Sequence, residues 1–195
     1  MFYHASPVAG IVRLEPRISN HEIPRIYFST KRENVLVYLS NAVEKYCRQT
    51  GFSHDGPWYK WASYGFTPDG LLRLEEYYPN ATEETYQGVS GYIYRVRKLP
   101  NGMELTDIPG AFVSQEPVLV ESCEYIPDAY EAILRAAADG AIVWQRYADM
   151  AQRQREWVRK AIKQDYQTYL HHANHPDYLH FLRGKFPFLT EGVAT

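Results

Sequence analysis

A chain of 195 residues with 45% hydrophobic content can fill one core and is too short to require two domains, so a single globular domain is the expectation. A formal net charge of -2 and a pI near 6.4 give no basic field to draw a nucleic acid, and no acidic block reads as a solvating tail. The partner is not chosen by charge.

Residues 2 to 5 and 25 to 29 read as short strands from their β-branched and aromatic content, and Pro7, Gly10, Pro16, Asn20 and Pro24 mark the loop between them. The first twenty residues carry Arg13, Glu15 and Arg17 and no unbroken apolar run, so neither a signal nor a transit peptide is expected there. No stretch of the chain reaches the ~18 apolar residues of a membrane span, and the protein is read as cytoplasmic. From Lys31 the positions Val35, Leu36, Leu39, Ala42, Val43 and Tyr46 recur at helical spacing. With Thr30 and Glu33 as a capping box, this predicts a helix over residues 31 to 49. Cys47 falls in that helix; with Cys123 it could form one bridge, but a chain of this size has no need of it, and free thiols are expected.

Residues 51 to 69 are dense in Gly, Pro, Trp and Tyr and read as an aromatic loop or a short strand pair, followed by a turn at Thr67-Pro68-Asp69-Gly70. Two short helices are expected at 71 to 78 and 82 to 87, the second capped by Asn80 or Thr82. The alternation of residues 89 to 96 predicts a strand, and Asn101-Gly102 a hairpin turn. Strands are expected at 103 to 107, 111 to 113 and 118 to 120, a helix at 127 to 138 ending at Asp139-Gly140, and a strand at 141 to 144. A helical stripe then runs from Tyr147 to Leu170, and Pro176 stops it before a terminal helix at 177 to 182. The order of elements, without a repeat or linker, defines an α+β fold. Its 17 Tyr and 4 Trp either finish that core or line a cleft.

Three sequence elements carry a resemblance. His4 stands in Phe2-Tyr3-His4-Ala5-Ser6, Tyr27 in Arg25-Ile26-Tyr27-Phe28-Ser29-Thr30, and Tyr38 follows with ten residues between the two tyrosines. This order resembles the His and Tyr-x10-Tyr elements of the diphtheria-toxin and poly(ADP-ribose) polymerase branch of the ADP-ribosyltransferases, whose members split the glycosidic bond of NAD. The resemblance covers about residues 2 to 49 and 89 to 135. It implies a single domain in which two small, mostly antiparallel sheets form a split β core around an NAD cleft, with residues 50 to 88 as an aromatic insertion and 146 to 183 as added helices.

The same resemblance implies roles. His4 bonds the adenosine ribose, and the backbone of Ala5, where the family usually has Gly, holds the nicotinamide amide. Tyr27 and Tyr38 sandwich the nicotinamide ring, and Phe28 and Ser29 lie alongside. Many members have a small hydroxyl residue three positions before the second tyrosine; Val35 stands there in this chain, and Ser29 or Thr30 is the substitute. A Glu at the start of a late strand holds the ribose 2′-hydroxyl and stabilises the oxocarbenium-like state, a role that needs negative charge where positive charge develops. Glu116 is the first choice, with Glu121 and Glu124 as fallbacks, so the catalytic set is Glu116, His4 and Tyr38. NAD is the expected substrate, with no metal, and the acceptor is a protein side chain, a nucleic acid or a small molecule.

Two other readings stay open: a non-catalytic NAD-binding or interaction module of the same fold, and an RNA 2′-phosphotransferase relative using His4 with Arg13 or Arg25. Elsewhere His171, His172, His175 and His180 crowd the C-terminal region, with 171 and 175 at i, i+4, and are read as ordinary helix-end histidines. Between residues 146 and 163 six Lys or Arg face two acids, which reads as the solvated face of an amphipathic helix. Trp58, Tyr59, Trp61, Tyr64 and Phe66 stack bases, cover the cleft or fill a satellite core.

Overall fold

In the computed structural model, which describes residues 1–19, 22–56, 58–59, 63–171 and 174–190, the strand Gly91–Val96 buries Ile93, Tyr94 and Val96 on both of its faces and is therefore a central strand. Asn20, Trp61 and His172, named above, lie outside the described residues. In chain order the strands are β1 (Phe2–Ser6), β2 (Arg13–Leu14), β3 (Ile26–Ser29), β4 (Ser63–Phe66), β5 (Leu72–Glu75), β6 (Gly91–Val96), β7 (Met103–Glu104), β8 (Ala111–Ser114), β9 (Val118–Leu119), β10 (Ser122–Ile126) and β11 (Ile142–Gln145). The α-helices are α1 (Ala42–Thr50), α2 (Ala81–Tyr86), α3 (Ala129–Ala138), α4 (Gln152–Leu170) and α5 (Pro176–Lys185), and a 3-10 helix spans Glu33–Leu39. The architecture is mixed α+β, with antiparallel pairing throughout the larger sheet.

The chain divides into two compact units, Met1–Ser40 with Tyr64–Leu74 and Thr82–Trp144, and Asn41–Ser63 with Glu75–Ala81 and Gln145–Thr195. The first holds a six-stranded sheet in the order β10-β6-β1-β3-β8-β7. One face carries the apolar cluster of Ile26, Phe28, Tyr94 and Val96, closed by Leu14 and Val118 from the β2–β9 ribbon. Ala5 and Ile93, one residue out of phase, turn to the other face. There the 3-10 helix packs on β1, β3, β6 and α3. It comes so close that a Cβ on Gly91 would stand 2.6 Å from Leu39 Cδ2.

The six strands are not evenly joined. β1 pairs with β6 over five residues, Phe2↔Val96 to Ser6↔Tyr92, and β3 with β8 over four, but β1 pairs with β3 at Tyr3↔Ser29 alone. The sheet is therefore two three-stranded halves hinged at one residue pair, and beyond Tyr3 strands β1 and β3 part.

In the second unit α5 packs against α1 and α4, burying Val43, Cys47, Val158, Ile162, Tyr178, Phe181 and Leu182. Such side chains stabilise a fold by roughly 1.5–3 kcal/mol each. Asp177, fully buried, accepts the Gly56 amide at 3.2 Å and its neighbour Tyr178's amide at 2.8 Å, with His54 Nε2 at 3.3 Å.

Several elements differ from the sequence expectation. The helix expected over 31 to 49 is two helices, because Ser40 and Asn41 are extended; Ser40 Oγ donates to the Thr85 carbonyl and Asn41 caps α1. Thr30 is not a cap: its amide donates to the Gly110 carbonyl, and Arg32 precedes the 3-10 helix without a side-chain cap. The helix expected at 71 to 78 is strand β5, whose Leu72 and Leu74 are buried while Arg73 and Glu75 are not, so the period of two decides over helix propensity. Asn101, with φ +47°, does form a turn, yet β6 and β7 on either side of it are not neighbours. The stripe from Tyr147 is interrupted by extended residues at Met150 and Ala151 before α4. His171 ends α4 and His175 precedes α5, so the two do not share a helix. Among the described residues no helix is long and apolar enough to cross a membrane.

Candidate functional site

Where β1 and β3 part, the His4 ring bridges them, with Nδ1 2.8 Å from the Tyr27 backbone oxygen. A carbonyl only accepts, so Nδ1 carries the hydrogen; in neutral imidazole Nε2 is then left as an acceptor. Burial lowers the His4 pKa, the Tyr27 carbonyl acts the other way, and Arg17 lowers it further, so the ring is neutral at pH 7. The sequence dictates this locally: Ile26 and Phe28 point into the apolar cluster, which leaves the Tyr27 side chain on the opposite face, toward the 3-10 helix.

That helix delivers Tyr38. From Asn34 to Leu39 every residue is buried except Tyr38, which is 50% exposed. Its pKa is raised chiefly by burial of its surroundings and next by Tyr27, so the two phenols are close enough to feel each other. Tyr64 and Tyr86 belong to the same group, each with a raised pKa whose causes include Tyr38. Their hydroxyls lie 2.7 Å apart, and Tyr86 donates to the Val37 carbonyl at 3.0 Å. Neither was singled out from the sequence, where no spacing ties them to Tyr27 and Tyr38. Tyr64 stood only in the aromatic segment.

The other expected residues fare unequally. Ala5 is buried on β1 opposite Ile93. Phe28 is 3% exposed inside the apolar cluster, so its ring has no surface to offer a ligand, contrary to expectation. Ser29 is buried and its Oγ accepts the Lys31 amide at 3.1 Å.

Glu116 is exposed beyond the end of β8 that pairs with Ile26, and accepts a hydrogen bond of 2.6 Å from Asn101 Nδ2. It is thus not brought beside Tyr27, whose partner on β8 is the buried Val113. Of the fallbacks, Glu121 is ion-paired with Arg97 at 2.7 Å. Glu124 takes Arg32 through two nitrogens at 2.8 and 2.6 Å, and this pairing holds its carboxyl below the usual value. Arg32 adjoins the start of the 3-10 helix, so Glu124 anchors the segment that carries Tyr38.

Two further surfaces are explained by packing. His175 meets the edges of Tyr59 and Tyr169, and His180 stacks on Phe52 at 4.2 Å. Among the described residues no group of three His, Cys, Asp or Glu side chains could hold a metal ion. On α4, Arg155 bonds the Ala148 carbonyl and Arg159 and Lys163 lie over the Phe188 ring, while Met150, Arg153, Trp157 and Val158 help to line a recess of about 300 Å³.

No family model matches the chain, and no curated protein or solved structure matches it.

Proposed function

We propose that the chain binds NAD where β1 and β3 part, and that it is an ADP-ribosyltransferase-like protein that transfers ADP-ribose from NAD to an acceptor or hydrolyses NAD. One observation carries the reading: the Tyr27 and Tyr38 phenols, from a strand and the next helix, lie close enough to feel each other, and His4, its ring against Phe28, bonds the carbonyl of the same Tyr27 and keeps Nε2 as an acceptor. An acceptor nitrogen suits a ribose hydroxyl, and a half-exposed phenol suits a flat heteroaromatic ring. Beyond Tyr3 the edge of β1 has no further partner on β3, so its backbone can bond a carboxamide.

In the reaction the bond between ribose C1′ and the nicotinamide nitrogen breaks and its electron pair stays with nitrogen, turning pyridinium into neutral nicotinamide. C1′ then bonds to an acceptor atom or to water, which releases a proton. The oxocarbenium character at C1′ calls for a nearby negative charge. Glu116, exposed and bonded to Asn101, favours a second reading in which the chain binds NAD without turning it over.

Release of nicotinamide from NAD, measured for the wild type and Glu116→Gln, separates the two. Release by the wild type that falls at least tenfold in the variant, with NAD binding retained, supports the enzyme and the role of Glu116. Release unchanged in the variant moves that role to another carboxylate. Binding without release by the wild type supports the module. Either form goes with a cytoplasmic protein.

A further inference from the structure

We infer that Tyr64 and Tyr86 are positioning residues for Tyr38: a hydroxyl relay from Tyr64 through Tyr86 to the Val37 carbonyl fixes the peptide that carries the Tyr38 ring. The inference rests on the NAD-binding reading. The Val37 carbonyl is half of the Val37–Tyr38 peptide unit, so the 3.0 Å bond from Tyr86 clamps the backbone from which Tyr38 projects. It lies in the last turn of a 3-10 helix, where carbonyls run out of helical donors and must be met from outside. Two residues past Tyr38, Ser40 Oγ donates to the carbonyl of Thr85, the neighbour of Tyr86. Tyr38 is thus tied to the end of α2 on both sides.

The direction of the relay follows from counting protons. Each phenol has one, and Tyr86 gives its own to Val37, so Tyr64 is the donor across the 2.7 Å contact. Burial raises the pKa of both, which keeps both hydroxyls protonated and able to donate. Tyr86 is 1% exposed and cannot touch a ligand, so its effect on binding must pass through Tyr38. A ring held in its binding orientation loses less freedom when a ligand stacks on it, which raises affinity without adding a contact.

The test is titration of nicotinamide, NAD and ADP-ribose into the wild type, Tyr86→Phe and Tyr64→Phe, with thermal unfolding of each protein as the check on folding. Removing the Tyr86 hydroxyl should weaken nicotinamide and NAD by about tenfold, the size of one lost hydrogen bond, and leave ADP-ribose within about twofold. Tyr64→Phe, which keeps the bond to Val37 and frees its orientation, should show the same selectivity at about two- to threefold. Since ADP-ribose lacks the nicotinamide ring, a general loss of structure would weaken all three ligands alike. Equal losses, or unchanged nicotinamide binding in a folded Tyr86→Phe, overturn the inference and leave the NAD reading standing. If Tyr86→Phe does not fold, the absence of nicotinamide-selective loss in Tyr64→Phe overturns it. A wild type that binds none of the three removes the NAD reading and this inference together.

Discussion

Two groups of tyrosines in this chain are used in opposite ways. In the second unit Tyr59 lies flat on Tyr178 at 4.2 Å and 7°, and Tyr169 meets both edge-on. Tyr178 bonds Asp165 through its hydroxyl and is 5% exposed. In the first unit Tyr27, Tyr38, Tyr64 and Tyr86 converge, the last two joined through their hydroxyls, while Tyr38 stays half exposed. The first group covers its ring faces with one another and so completes a core. The second uses hydroxyls to fix a ring that still meets solvent. A tyrosine-rich composition therefore has no single meaning, and what separates the two uses is whether the hydroxyl bonds serve a closed stack of rings or hold one ring open to solvent.

The largest break of this comparison should come from Tyr178→Ala. It removes a buried ring that stacks on Tyr59 and leaves Asp165 without its hydroxyl, at a cost of about 3–5 kcal/mol. Chemical denaturation should show a matching fall in the midpoint. Tyr38→Ala should behave in the opposite sense, costing about 1 kcal/mol or less of stability because the ring is half exposed, while weakening NAD about tenfold. A variant of Tyr38 as damaging to the fold as that of Tyr178 would merge the two groups into one core.

A smaller effect sharpens the site by pH. The folded pKa of His4 lies below the ordinary 6.5, so as pH falls through 6.5 the unfolded chain takes up a proton that the folded one resists. The stability due to neutral His4 is fully present above pH 6.5 and is lost as pH drops from there toward the folded value. Denaturation curves from pH 7.5 to 5.5 should therefore show the wild type losing stability more steeply than His4→Gln. Equal slopes would mean that the ring is not held neutral by burial.

How much was legible before the fold was known differs between these regions. The His4 strand, the Tyr27 strand and the helical placement of Tyr38 follow from local pattern, since Ile26 and Phe28 alternate about Tyr27 and Val35, Leu36 and Leu39 recur at helical spacing around Tyr38. The break at Ser40 did not follow, because it depends on a bond to Thr85, 45 residues away, which no window of sequence contains. Leu72 to Glu75 reads as helix from its sequence for a similar reason: Leu, Arg and Glu favour helices, and only pairing within the β11-β5-β4 sheet decides for a strand. Glu116 has the right place in the sequence, just before a late strand, but the register Ile26↔Ser114 carries it past the end of β3. Tyr64 and Tyr86 were unreadable as site residues because their link to Tyr38 runs through one backbone carbonyl.

The central claim is that the parting of β1 and β3, with His4, Tyr27 and Tyr38, receives the nicotinamide end of NAD. Thermal unfolding of the wild type and Tyr38→Ala, each with and without millimolar NAD or nicotinamide, tests it most directly, because a ligand that binds only the folded state must raise the midpoint. The account predicts a rise with both ligands in the wild type and little or none in Tyr38→Ala. An unchanged midpoint in the wild type, or an equal rise in both proteins, would contradict it.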